Sequence, residues 1–140
     1  MLTSHQAQAV ITAAEARAES MQVAVNIAVL DAGAHLKAFT RMDNAVLGSI
    51  DIALKKAATA ALFQTTSEAV WEYCKPGAPA HALEHSNGGL APFPGGIPLI
   101  GSDGEMLGAI GVSGGAVPQD LEIAEAGVAA LLDPVVAHTS

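Results

Sequence analysis

Residues 93–115 read FPGGIPLIGSDGEMLGAIGVSGG. Two glycine clusters, Gly95-Gly96 and Gly111 with Gly114-Gly115, bracket two apolar runs. Residues 97–100 are short and apolar, as a strand should be, and Ser102-Asp103-Gly104 supplies turn chemistry. Residues 106–112 return as a second strand. The stretch is therefore a β-hairpin, and its strands pair antiparallel. Glycine has no Cβ and tolerates positive φ, so both clusters let bare backbone approach a ligand. The expectation is that the two clusters build one pocket wall.

An earlier stretch repeats the pattern. Residues 23–30 (VAVNIAVL) are apolar on both faces apart from Asn26, which predicts a central strand. Asp31-Ala32-Gly33 is a turn. Residues 35–41 (HLKAFTR) then alternate Leu36, Ala38 and Thr40 against His35, Lys37, Phe39 and Arg41. The echo between the two hairpins suggests a remote internal duplication. Strands that come in adjacent pairs disfavour a βαβ mononucleotide fold.

Helical segments fill the rest. Thr3 or Ser4 caps a helix to about Ser20, with Val10, Ile11, Ala14 and Ala18 inward. A long helix is predicted over 48–64, its period kept by Ile50, Leu54, Ala57, Ala58, Ala61 and Leu62. Thr65 stands three residues before Glu68, a capping-box spacing that starts a short helix ended by Pro76-Gly77. Pro118 suits the first turn of a last helix striped by Leu121, Ala124, Val128 and Leu131, and Asp133-Pro134 stops it. Residues 75–96 form a long loop with Pro76, Pro79, Pro92 and Pro94, and a loop of that length points to function. The order is α-β-β-α-α-loop-β-β-α. The fold class is α+β, with helices packed on an antiparallel sheet, in a single domain over 1–140.

Composition narrows the classes. Half of the 140 residues are hydrophobic (51%) and only 14% are charged, which is a folded domain with some surface given to other subunits. A net charge of -8 with six Lys and Arg excludes nucleic acid as a partner. Cys74 is the single cysteine, so no intramolecular disulfide forms. Residues 1–20 carry Glu15, Arg17 and Glu19 and do not read as a signal peptide, and no run is long enough to span a bilayer. Together these place the protein in the cytoplasm and off the membrane.

Several short patterns carry chemistry. His81-Ala82-Leu83-Glu84-His85 matches the H-x-x-E-H zinc pattern, but it lies in the proline-rich loop, where solvated histidines are the simpler reading. Gly111-Val112-Ser113-Gly114-Gly115 matches a G-x-S-x-G nucleophile elbow, with Asp120 or Asp133 and then His138 following. The elbow belongs to a parallel sheet, however. A better assignment is that Ser113, Gly114 and Gly115 present N–H groups to an anion before the Pro118 helix, with tight helix–sheet packing as the structural alternative. Arg41, at a strand end, is a cation for an acidic ligand or a partner for Asp43. His35 is structural or a haem iron ligand. No C-x-x-C-H is present, so covalent c-type haem is excluded, and an aromatic content of 4% is low for a haem pocket.

Four separated motifs carry a family resemblance: AVLDAGAHLKAFTRMDNA, SIDIALKKAATAALF, NGGLAPFPGGIPL and GAIGVSGGAVPQDLEIAEAG. In this order they resemble the GlcG/HbpS family, to which the C-terminal domain of PduO-type corrinoid adenosyltransferases is also related. The resemblance spans nearly the whole chain. It implies a central antiparallel sheet of about five strands, homo-oligomers that are often octamers, and binding of haem or a related small ligand in some members. The matching positions are Asp31, Gly33, His35, Arg41, Met42, Asp43, Lys56, Gly95, Gly96, Pro98, Gly111, Ser113, Gly114 and Asp120. The expected function is a cytoplasmic, oligomeric small-ligand-binding protein with haem as the candidate cofactor. Its expected ligand-binding residues are His35, Arg41, His85, Gly95, Gly96, Ser113 and Gly114. Two alternatives stand beside it. One is a cofactor-independent enzyme on a small organic acid, with Arg41 and the Ser113 loop holding a carboxylate while His35, His85 or Glu84 moves a proton. The other is a structural partner of a catabolic enzyme.

Overall fold

A computed structural model describes residues 1–137. Four antiparallel strands, β1 (Asn26–Asp31), β2 (Leu36–Arg41), β3 (Gly96–Ile100) and β4 (Met106–Ser113), form one sheet in the order β2-β1-β4-β3. The two hairpins are joined through β1 and β4, so the strand predicted as central is central. Pro98 sits on edge strand β3, where a missing N–H is tolerated.

The resemblance implied about five strands; the sheet has four among the described residues. The remaining long segment without an α-helix, 75–95, folds as turns around a single 3-10 turn at Leu83–His85. Its four prolines lack the N–H that a ladder requires.

One face of the sheet carries α1 (Ser4–Ser20) and α4 (Val117–Ala129); the other carries α2 (Gly48–Phe63). Strand alternation sorts the core accordingly. Val25, Ile27, Val29, Ile110 and Val112 pack with Val10, Ile11, Ala14 and Ile123, while Ala28 and Leu30 meet Ala53 and Ala57. Thr3 caps α1 in a reciprocal box. Its Oγ1 accepts from the Gln6 N–H at 3.0 Å, and Gln6 Oε1 accepts from the Thr3 N–H at 3.0 Å. Such a cap is worth about 1 kcal/mol.

The face that α2 buries differs from the predicted stripe. Ala53, Lys56, Ala57, Thr59, Ala60 and Ala61 are buried, whereas Leu62 is exposed and Ile50 and Leu54 are half-buried. The sheet beneath explains this. Gly96 and Gly111 are register partners on β3 and β4. A Cβ on Gly96 would lie 2.3 Å from the Lys56 carbonyl oxygen, and one on Gly111 would lie 2.1 Å from that of Ala53. The helix backbone rests in a trough of two glycines, so only small side chains and a reaching lysine fit between. The two glycine clusters are brought together as a seat for a helix.

Helix α3 (Ser67–Cys74) starts one residue later than the Thr65 spacing predicts. Thr66 is the cap, and its hydroxyl accepts from the Ala69 N–H at 3.3 Å. The shift follows from Gln64, which closes α2 in the left-handed region at φ 54 and leaves Thr65 within the bend. Residues 130–132 form a 3-10 turn, and a short α5 (Pro134–Ala137) follows. His138 lies outside the described residues.

Candidate functional site

The register of the sheet decides which predicted residues meet. Arg41 pairs with Asn26, and Asn26 pairs with Ser113, so all three form one row at the same end of the sheet. His35 precedes β2 at the opposite end, exposed, with Nδ1 3.6 Å from Asp31 Oδ1. His85 is exposed on the 3-10 turn that follows α3. Gly95, Gly96, Ser113 and Gly114 gather near Lys56, while His35 and His85 lie elsewhere. Arg41 shares the Ser113 row but is exposed and does not line the cavity there.

Lys56 is the centre of this end. It stands inside the apolar stripe of α2 and is 2% exposed. Its Nζ donates to the Val112 carbonyl at 2.8 Å and to Asp120 Oδ2 at 3.2 Å. Gly95, at φ +127, leaves the room this requires, since a Cβ there would lie 3.0 Å from the ammonium and 2.7 Å from Val112 O. Asp120 lies in the first turn of α4, where the helix dipole favours a carboxylate. Its Oδ1 accepts from the Gly115 N–H at 2.9 Å. An amide expected to meet a ligand anion therefore meets a carboxylate of the chain itself. Burial pushes the Lys56 ammonium below the ordinary lysine range, and the Asp120 charge pulls it partly back. Burial likewise raises Asp120, against the pull of Lys56 and of the Gly115 N–H.

A cavity of about 270 Å³ opens beside this pair. Val46, Ile52, Phe93 and Val117 form its apolar walls, and Ser49 and Ser113 line it with hydroxyls. Asn26 is fully buried in the row behind it. Its Nδ2 donates to the Val46 carbonyl at 3.1 Å, while its Oδ1 has no partner.

A second, larger cavity of about 630 Å³ lies between the end of α2, α3 and the loop after it. Phe63, Ala69, Val70, Ala80 and Leu83 make it mainly apolar, and Tyr73 brings a phenol oxygen. The loop is held over α3 by Ser67. The Ser67 hydroxyl donates to the Phe93 carbonyl and accepts from the Gly96 N–H at 2.9 Å. The helical spacing that H-x-x-E-H needs is not formed, because Ala82 between the histidines is left-handed at φ 73. Among the described residues, no three His, Cys, Asp or Glu side chains are grouped to hold a metal ion.

Sequence reasoning placed Lys56 and Asp120 in the matching motifs without pairing them. The available signal was a lysine three residues after Ala53 and four before Ala60, within an inward stripe. The α3 cavity had no such signal, since it depends on how the loop folds back.

Comparisons with known proteins agree with this architecture. The corrinoid adenosyltransferase PduO of Citrobacter freundii is 41% identical over 120 residues, which is 85% of this chain and 36% of that protein. The chain thus spans little more than a third of that relative's length. Among solved structures, the ORFY protein of Klebsiella pneumoniae superposes with a TM-score of 0.89 at 32% identity, covering 94% of this chain and 90% of that one. A complex of PduOC with haem superposes with a TM-score of 0.86 at 36% identity, covering 92% and 94%. The family model for haem degrading protein HbpS-like matches residues 2–129, and the chain belongs to this HbpS-like, or GlcG/HbpS, family.

Proposed function

We propose that this protein binds haem or a closely related small ligand in the cavity between α2, α3 and the 75–95 loop. The observation that carries the proposal is the cavity itself: about 630 Å³, mainly apolar, in a chain 36% identical to a protein solved with haem. That volume lies in the range of about 300–1,000 Å³ usual for small-molecule sites. Phe63, Val70 and Leu83 are suited to the faces of a macrocycle. Tyr73 is the lining residue whose oxygen can ligate haem iron. His81 and His85 follow the lining residues Ala80 and Leu83 in the chain, so either is a second candidate donor. Bound haem would supply an iron centre for ligand exchange or electron transfer, and the protein would supply its axial donor and its apolar shell.

Self-association in the cytoplasm belongs to the same proposal. Ile100 and Leu132, which line one cleft, leave apolar side chains exposed on one protomer, which a second subunit would cover. Residues 4–20 are built into the core through Ala7, Val10, Ile11, Ala14 and Ala18. Among the described residues, no helix is long and apolar enough to cross a membrane.

The test is haem titration of the parent protein and of Ala80→Trp, which fills the cavity. The Soret band is followed in both, and quenching of Trp71, the single tryptophan of the parent and a residue of α3, is followed in the parent. Ala80→Trp is expected to weaken binding at least tenfold, with Ser113→Ala unchanged. Equal affinity in Ala80→Trp and the parent would exclude this cavity.

A further inference from the structure

We infer that the smaller cavity beside Lys56 is a second binding site, for a small uncharged carbonyl compound such as an aldehyde or ketone. It shares no lining residue with the α3 cavity, so the inference is independent of haem binding.

Uncommitted polar groups lie at and behind this site. An ammonium has three N–H donors, and Lys56 uses two, on Val112 O and Asp120 Oδ2. The third has no protein acceptor among the described residues, although the side chain is 3% exposed. The hydroxyls of Ser49 and Ser113 line the cavity and make no hydrogen bond among the described residues. Asn26 Oδ1, in the same row as Ser113, is buried without a partner. Buried polar groups are ordinarily satisfied, so the unused Lys56 donor and Asn26 acceptor, with two free hydroxyls in the cavity wall, mark a place for a polar ligand.

Charge selects the kind of ligand. Lys56 and Asp120 neutralise each other at 3.2 Å. An added carboxylate or amine would give up hydration to place a net charge beside a pair that is already neutral. An uncharged ligand avoids that cost. The free ammonium N–H calls for an acceptor, which a carbonyl oxygen is, and a serine hydroxyl can donate a second bond to it. Val46, Ile52, Phe93 and Val117 provide apolar contact for a short alkyl chain.

The probe is butanone, titrated into the full chain and followed by amide ¹H–¹⁵N shifts, with butyrate as its charged counterpart. Saturable shifts are expected at Ser49, Ser113, Gly114 and Gly115, with butyrate at least tenfold weaker. Loss of one hydrogen bond in Ser113→Ala or Ser49→Ala should weaken butanone about two- to tenfold. Unchanged spectra away from the site would show that each variant folds. The inference is overturned by butanone shifts that do not saturate, by butyrate binding as tightly as butanone, or by affinity that neither serine variant changes.

Discussion

The ammonium of Lys56 on α2 lies 3.2 Å from Oδ2 of Asp120 on α4, and both side chains are 3% exposed. The partners are 64 residues apart in sequence and tie the helices of opposite sheet faces around the end of β4. Removing one partner leaves a buried charge alone. Lys56→Met and Asp120→Asn are each expected to cost about 3–5 kcal/mol in urea unfolding, and the double variant Lys56→Met/Asp120→Leu less than either. Single variants costing under about 1 kcal/mol would show that the pair is not desolvated in solution.

Ser67 fastens the 93–96 segment to the start of α3, accepting from the Gly96 N–H and donating to the Phe93 carbonyl. Ser67→Ala leaves a buried N–H and a carbonyl without their partner. We expect a loss of about 1–3 kcal/mol. Faster hydrogen exchange at Gly96 than at Ile110 of the same sheet would confirm where the loss falls.

Asp31 closes the first hairpin, with Oδ1 accepting from the Gly33 and His35 N–H groups at 2.9 and 3.0 Å. The His35 N–H is the main cause that holds its carboxyl below the ordinary 3.8. A depressed carboxyl pKa stabilises the fold above the unfolded value, and the benefit is lost as pH falls through the folded one. The stability difference between the parent and Asp31→Ala should thus be constant above about pH 5 and shrink below about pH 4. A difference that grows on acidification would contradict the hydrogen-bonded turn.

Cys74 ends α3 and is fully buried. Burial raises its thiol above the ordinary range, and the nearby Glu84 charge raises it further. The native protein should react with a thiol reagent only at its opening rate and become rapidly labelled in urea. Prompt labelling at neutral pH without denaturant would place the thiol at an open surface.

Much of the fold is legible from local pattern. The β-branched run 23–30, the Asp-Gly turns and the alternation of residues 35–41 give both hairpins, and the inward stripe of α1 is buried as predicted. The α2 face is not legible the same way, because ranking by bulk favours Ile50, Leu54 and Leu62. The Gly96 and Gly111 trough admits Ala53, Ala57 and Ala60 instead. The candidate site shows the same division. Ser113, Gly114, Gly95 and Gly96 are found by their glycine chemistry, whereas the Lys56–Asp120 pair is a long-range contact with no local spacing. His35 and Arg41 bound the same predicted strand, and an extended strand holds its two ends apart.

The most direct measurement is an absorption titration of the purified, ligand-free protein with haem. A saturable, red-shifted Soret band at a fixed haem-to-chain ratio, diminished in Tyr73→Phe or His85→Ala, is the predicted result. A spectrum at micromolar haem that remains that of free haem would contradict the proposed function.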